Sequence, residues 1–264
     1  MKTGRADLPL ITLLTDFGTA DYFVGAVKGA ILSVNPRVVI ADITHEIPPQ
    51  DVEAAAFTLV ASYQTFPAGT IHVAVVDPGV GSARRAIVVS AGKRFFVGPD
   101  NGIFTYIYDR HPSHRAFHVT KEKYFRRPTS TTFHGRDIFA PVAAALSTGV
   151  KPEKFGDLIT DAVRLKTSLL PVVQKNGRIE GRIIHIDRFG NCVTNLTPDL
   201  LGHDGVLLVK GKQVREFRDF YGEADSAGKL FAIWGSAGFL EISVNRGSAA
   251  KILRAKRGDT VTLG

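Results

Sequence analysis

LPLITLLTDFGTADYFVGAVKGAILSVNPRVVIADI, residues 8–43, decides the fold. Residues 8–14 are a short apolar run, which reads as a buried strand. Residues 22–34 then carry Phe23, Val27 and Ile31 at helical spacing, and Asn35-Pro36 stops the pattern. Residues 37–43 read as a second strand. Working outward, Asp51 precedes Ala54, Ala55, Phe57, Val60 and Ala61, a second helix with acidic residues in its first turn. Residues 70–76 give a third strand. Residues 86–90 and 94–97 flank Ala91-Gly92-Lys93 as a hairpin, and residues 136–146 form an alanine-rich helix ended by Gly149. Strand, helix, strand, helix, strand predicts an α/β domain with a mainly parallel sheet between helices.

The pattern changes after about residue 165. Pro171 and Asn176-Gly177 introduce short strands at 179–186, 192–196, 206–209, 213–217, 230–234, 239–244 and 260–263. Turn pairs such as Phe189-Gly190 and Lys210-Gly211 punctuate them, and helical periodicity is absent. This predicts a small all-β barrel. The expected domains are therefore 1–165, α/β, and 175–264, β-barrel.

Composition narrows the function classes. The 264 residues are 44% hydrophobic and 22% charged, which fits a globular chain. Cys192 is the single cysteine, so an intramolecular disulfide framework and an all-cysteine metal cage are excluded. The longest charge-free stretch, residues 54–76, is interrupted by Gln64, Pro67 and Gly69 and is not a membrane span. Residues 1–10 hold no signal-peptide core, so the expectation is a cytoplasmic protein. The net charge is +8 and the isoelectric point is about 9.6. The basic residues are spread along the chain without aromatic interleaving, so no nucleic-acid partner is expected. His111, His114 and His118 could suit a metal by spacing, but Pro112 breaks the helix that would align them; no metal site is expected.

In open α/β sheets, ligands bind beyond the carboxyl ends of the strands. Three polar clusters fall there. Thr15-Asp16-Phe17-Gly18, with Asp21, follows the first strand. Residues 77–84, from Asp77 to Arg84, follow the third. Phe133-His134-Gly135-Arg136-Asp137 opens the alanine-rich helix. Each has a plain structural reading: Asp16 as a helix cap, Asp77-Pro78-Gly79 as a tight turn, His134 as a polar residue near a helix start. Their coincidence, which supplies carboxylates, a guanidinium and an imidazole together, favours a site. Gly79-Val80-Gly81 is not a phosphate loop, because no Gly-Lys-Ser/Thr follows. In the second domain, residues 187–195 carry Asp187, Phe189 and Asn191 in either a plain β-turn or a purine pocket. Residues 243–250, with Asn245, Arg246 and Ala249, form a second candidate strip whose small residues allow close backbone approach.

Taken together, these motifs resemble the S-adenosyl-L-methionine (SAM) hydroxide adenosyltransferases, or SAM hydrolases, relatives of bacterial enzymes that attack the same substrate with fluoride or chloride. The resemblance runs from about Ile11 to Gly264. It rests on Leu14-Thr15-Asp16-Phe17-Gly18 with Asp21-Tyr22, Val76-Asp77-Pro78-Gly79-Val80-Gly81, Gly98-Pro99-Asp100-Asn101-Gly102, Phe133-His134-Gly135-Arg136-Asp137 and Asp187-Arg188-Phe189-Gly190-Asn191, in that order.

The resemblance implies an α/β domain followed by a β-barrel, a homotrimer with active sites between subunits, and conversion of SAM and water to adenosine and L-methionine with no cofactor. It implies that Asp77, Arg84 and His134 handle the hydroxide and that Asp16 binds the ribose. The methionine end is expected near Asp21, Asp187 and Arg246, the adenine against Phe189, Asn191 and the backbone near Ala249, and Asn245 among the substrate-binding residues. The halogenating relatives carry tyrosine-serine where this chain has His134-Gly135, a tyrosine at Asp77 and a tryptophan at Gln50. Water is therefore favoured over halide as the nucleophile. The alternatives are a SAM-dependent halogenase or a non-catalytic adenosine- or SAM-binding module. Which of Asp77 and His134 accepts the proton is left open by the sequence.

Overall fold

Thr15, the last residue of the first strand, lies in register beside Val75, the last residue of the third, in a computed structural model that describes residues 8–175, 177–200, 205–222 and 228–264. Residues 1–7, which bear on the leader expectation, and Asn176 of the expected Asn176-Gly177 turn lie outside the described residues. The chain divides into two units, Met1–Lys166 and Thr167–Gly264.

In the first unit, β1 (Leu10–Thr15), α1 (Phe23–Val34), β2 (Val39–Thr44), α2 (Val52–Ser62) and β3 (Ile71–Val75) follow the predicted alternation. Strands β4 (Ala86–Ala91) and β5 (Arg94–Pro99), helix α3 (Thr105–Arg110), strand β6 (Arg115–His118), helix α4 (Ala140–Ser147) and strand β7 (Leu158–Ile159) complete it. Strand order is β2-β1-β3-β5-β4-β6-β7. Strand β1 is covered on both faces, which is why it reads as a nearly continuous apolar run. Helix α1 buries Val27, Ala30 and Ile31 against a core that includes Ile11, Leu13, Val73 and the alanines of α4. Asp51 caps α2 by accepting the Ala54 N–H at 2.9 Å.

The sheet is mixed, which corrects the expectation of a mainly parallel one. The β1–β2, β1–β3 and β3–β5 pairings are parallel; β4–β5, β4–β6 and β6–β7 are antiparallel. The cause is the β4–β5 hairpin. Its two-residue turn, Gly92-Lys93, has φ of +55° and +61°, and this double left-handed turn reverses the chain in step with strand twist. A Cβ at Gly92 would also lie 2.5 Å from the His111 ring. The short β6, β7 and α3 were not legible as elements, being too brief to show a period.

The second unit contains β8 (Val172–Val173), β9 (Ile179–Ile186), β10 (Cys192–Thr194), β11 (Leu207–Val209), β12 (Lys212–Val214), β13 (Phe217–Arg218), β14 (Leu230–Trp234), β15 (Leu240–Val244), helix α5 (Ala249–Leu253) and β16 (Thr260–Leu263). They form one curled sheet in the order β12-β11-β16-β9-β10-β15-β14-β13, with β8 on β9. Alternate residues of β15, Leu240, Ile242 and Val244, enter the core, leaving Glu241 and Ser243 on the opposite face.

Two features depart from the expected all-β barrel. Among the described residues no ladder joins β12 to β13, so the curl is a half-barrel. Helix α5 interrupts the strands: Ser248 caps it by accepting the Lys251 N–H, and Ala249 and Leu253, four residues apart, share the core. One turn of helix is too short to leave a periodic signature.

Candidate active site

The parallel pairing of β1 with β3 sets the two chain exits side by side, so the turns carrying Asp16 and Asp77 leave the sheet as neighbours. The first turn is tied down from several sides. Thr15 Oγ1 accepts the Phe17 N–H at 3.3 Å and pairs with His45 Nδ1 at 2.8 Å, while the Gly18 N–H donates to the His45 carbonyl at 2.8 Å. Asp16 then receives the backbone N–H of Gln50 on Oδ2 at 2.8 Å. Gln50 adopts φ +66°, a left-handed conformation that aims its N–H at the carboxylate.

In the second turn, Arg84 folds back on Asp77. Its Nε donates to both carboxylate oxygens, at 2.9 and 3.0 Å, and Nη2 also reaches Oδ2. The pair is largely withdrawn from solvent, with side chains 10% and 6% exposed. Phe139 lies under the guanidinium, 5.2 Å from its carbon to the ring centroid. Arg84 Nη2 also contacts Nδ1 of His134 at 2.7 Å. His134 opens a helical segment whose first turn, Gly135–Phe139, is π-helical before it continues as α4.

Because a guanidinium only donates, Nδ1 of His134 is the acceptor, and the neutral ring carries its proton on Nε2. Burial, and then the Arg84 charge, hold the imidazole below its ordinary pKa, against the opposing pull of Asp77 and Asp137. The ring is therefore neutral at pH 7. Asp16, Gln50, Asp77, Thr132, Phe133, His134 and Gly135 line a cavity of about 260 Å³. The cavity thus presents two carboxylates, Asp16 and Asp77, and the His134 imidazole, with Arg84 bonded to the latter two, a set of groups able to accept hydroxyl protons and to polarise a water molecule.

The second unit has its own cavity of about 730 Å³, lined by Asp187, Phe189, Asn191, Tyr221, Trp234, Glu241 and Arg246 among others. Here the plain-turn reading of residues 187–191 also holds. Asp187 accepts the N–H groups of Phe189 and Asn191 and the Asn191 Nδ2, each at 2.9 Å. Gly190, at φ +85°, packs so closely that a Cβ would lie 2.0 Å from Ser248 Oγ. This docks the turn on the start of α5 and leaves Phe189 76% exposed. Tyr221 donates to Glu241 at 2.9 Å. Burial raises both groups, the Tyr221 hydroxyl to about 12 and the Glu241 carboxyl above its usual range.

Sequence reading had singled out Asp16, Asp77, Arg84 and His134, which converge in the first unit, and Asp187, Phe189, Asn191 and Arg246, which line the second unit's cavity. Asp21 is exposed and outside the lining of the first cavity; Asn245 and the buried Ala249 flank the second rather than line it. The structure adds Gln50 and His45, which hold the Asp16 turn, and the Tyr221–Glu241 pair. Gln50 acts through its backbone, and the other contacts span 20 residues or more, so no local motif announces them. Among the described residues, no three His, Cys, Asp or Glu side chains gather as metal ligands, and no helix is long and apolar enough to cross a membrane.

Comparison with known proteins agrees in both units. The SAM hydroxide adenosyltransferase N-terminal domain matches residues 11–156, and the corresponding C-terminal domain matches residues 181–262. The chain is 40% identical over 260 residues to the (R)-S-adenosyl-L-methionine hydrolase of Thermus thermophilus, covering 96% of this chain and 98% of that one. A fluorinase from an Actinoplanes species is 28% identical over 97% of each chain. A crystal structure of an uncharacterized conserved protein from Thermotoga maritima superposes with a TM-score of 0.87 at 37% identity, over 96% of this chain and 99% of the other.

Proposed function

The chain belongs to the SAM hydroxide adenosyltransferase family, and on that premise we propose that it hydrolyses S-adenosyl-L-methionine to adenosine and L-methionine. The observation that carries this reading is the Arg84 guanidinium joining the Asp77 carboxylate to the His134 imidazole beside Asp16. A water held by this trio attacks the ribose C5′ in line with sulfur. The new O–C5′ bond forms as C5′–S breaks, and the electron pair of the broken bond turns the sulfonium into the neutral thioether of methionine. The negative charge that proton removal leaves on the oxygen is drawn into the new bond as the sulfonium loses its positive charge, so charge is cancelled in the step and exclusion of bulk water favours it. The sulfonium is already an activated leaving group, so the proposal includes no cofactor.

Free water has a pKa of about 15.7 and needs polarisation. The tautomer divides the roles. His134, with its proton on Nε2, orients the water by donating to it. Asp77, whose Oδ1 takes a hydrogen bond from Arg84 Nε and, among the described residues, from no other group, accepts the water proton, and Arg84 stabilises the developing hydroxide. Asp16 binds the ribose hydroxyls. The second unit's cavity takes the adenine beside Phe189 and Asn191 and the methionine end beside Asp187 and Arg246. Asp21 serves the methionine end as well.

The relative's name specifies the R configuration, and the same sulfonium epimer is proposed here as the preferred substrate. The family resemblance further supports a cytoplasmic homotrimer in which neighbouring copies complete each site. Cyclic closure satisfies such a repeated contact.

The test is incubation of the purified protein with SAM resolved into its sulfonium epimers, followed by chromatography for adenosine and methionine. Equimolar products, formed faster from the R epimer, are expected. Binding of SAM without turnover would leave a non-catalytic binding module in its place. Light scattering is expected to give three times the 28.6 kDa chain mass.

A further inference from the structure

Asp137 is the most enclosed carboxylate near the proposed site, with its side chain 0% exposed, yet it touches none of the groups assigned to the reaction. Its partners are gathered from a single excursion of the chain. Arg136 reaches its two oxygens at 2.7 and 2.9 Å, the Ser130 N–H donates at 2.9 Å, and Arg126 Nη1 donates at 3.3 Å. The Asp137 carbonyl also accepts the Arg126 N–H at 2.8 Å. Burial pushes the carboxyl up, but the Arg136, Ser130 and Arg126 contacts outweigh it and hold the group below the ordinary carboxylate range, so it is ionised.

The excursion that Asp137 closes, residues 126–133, bears on the trio from both sides. Its C-terminal foot is His134, whose ring meets Arg84. Its middle supports the other arm: Gly81, in the turn between Asp77 and Arg84, lies so close to the Thr131 carbonyl that a Cβ there would fall 2.3 Å from the oxygen. Residues 127–129, 131 and 132 are exposed. Besides the Asp137 contacts, Arg127 pairs with Glu122 at the N-terminal end of the excursion, Phe133 packs edge-on against Phe17 and Phe23 at its C-terminal end, and short-range side-chain ties lie between them at Thr129, Ser130 and Thr132.

We propose that Asp137 is a positioning residue for the water-activating trio, holding the 126–133 excursion so that His134 meets Arg84 from one side and the Gly81 turn is supported from the other. This rests on the SAM-hydrolase reading for its kinetic readout and on geometry alone for the rest. The charged and titratable groups facing His134 are Arg84 and Asp77 from the turn after β3, Asp16 from the turn after β1, and Asp137 and Arg136 from its own helix. Arg126 and Tyr22 stand behind Asp137 and Arg136.

The test compares wild type, Asp137→Asn, His134→Ala and the double variant in the full chain. By analogy with outer-shell partners that orient a reacting group, Asp137→Asn is expected to lower kcat by about 10–100-fold. KM and adenosine affinity should stay within about twofold. In the His134→Ala background the same change is expected to cost several-fold less than in wild type, because only the support of the Gly81 turn is left to lose. A loss of equal size in both backgrounds, or no loss in either, overturns the proposal.

The His134 imidazole titration, followed by NMR, separates this outcome from failure of the hydrolase reading. Removing the Asp137 charge is expected to move the midpoint further down whether or not SAM is turned over, and an unmoved midpoint overturns the proposal. If Asp137→Asn does not fold, Arg126→Gln removes one tie at a half-exposed side chain. A several-fold fall in kcat with unchanged KM is then expected, and wild-type kcat overturns the proposal.

Discussion

Arg84 donates from Nη2 to Nδ1 of His134 at 2.7 Å, and that one bond decides that the neutral imidazole carries its proton on Nε2. A second proton on the ring would set two donors against each other, N–H against N–H, and break the trio. The consequence is a pH limit. His134 lies below the ordinary histidine value of 6.5, first through burial and then through Arg84, so hydrolysis is expected to fall on the acid side with a midpoint below 6.5. Linkage has the same sign. In the unfolded chain the ring takes its proton near 6.5, in the folded one only at lower pH, so this group destabilises the fold progressively as pH falls below 6.5. A kcat–pH profile checks the limb, and a midpoint above 7 contradicts the tautomer.

His134→Ala and Asp77→Ala are each expected to reduce kcat by about 10²–10⁴-fold while adenosine affinity stays near wild type, since each is assigned to the water and not to the nucleoside. Arg84→Lys is expected to be nearly as damaging. An ammonium is a point charge and cannot make the side-on contact with Asp77 while also reaching His134. Steady-state kinetics paired with adenosine calorimetry separates the two effects; unaltered turnover in His134→Ala and Asp77→Ala contradicts the role of the trio.

Asp16 and Gln50 give a contrasting pair. Asp16→Ala is expected to raise the adenosine dissociation constant by about tenfold or more, corresponding to loss of a charge-assisted hydrogen bond of about 1.5–3 kcal/mol. Gln50→Gly is expected to leave it within about twofold, because the bond to Asp16 comes from the backbone and φ +66° is readily adopted by glycine. Calorimetric titration of both variants decides the matter, and a large loss in Gln50→Gly would assign the binding to the side chain instead.

Fluoride and chloride are expected to give no 5′-halo-adenosine. Gly135 offers no hydroxyl to a halide, and a Cβ built there already meets the Phe133 and Phe17 rings at 3.4 Å. Gly135→Ser, whose Cβ is accommodated in ordinary contact with those rings, is expected to lower hydrolysis without creating halide transfer. Product chromatography in halide salt checks this, and a halogenated nucleoside from the wild type would overturn the choice of nucleophile.

The long elements were legible because each carries a full period of its pattern. The apolar run of β1, the Phe23–Val27–Ile31 stripe of α1 and the Asp51 cap of α2 signal their own structures locally. Helix α5 has only Ala249 and Leu253 on its buried face, and β6 and β7 are short edge-side strands, so these were not readable from spacing. The second unit's curl stays open among the described residues, a fact about strand pairing that strand count cannot supply.

At the site, the sequence by itself determined which chemical groups are present and that they follow strand ends: Asp16 after β1, Asp77 and Arg84 after β3, His134 at a helix start. Its motifs also placed the chain in its family. Only the tertiary structure decided how those groups are wired. Arg84 could have paired with any nearby carboxylate; the β1–β3 register, the Gly81 turn resting on Thr131 and the closure of residues 126–133 by Asp137 direct it to Asp77 and His134. The physical reason is range. Strand and helix signals arise from neighbours a few residues apart, whereas hydrogen bonds between Arg84 and His134, 50 residues apart, exist only after the sheet has brought the two turns together.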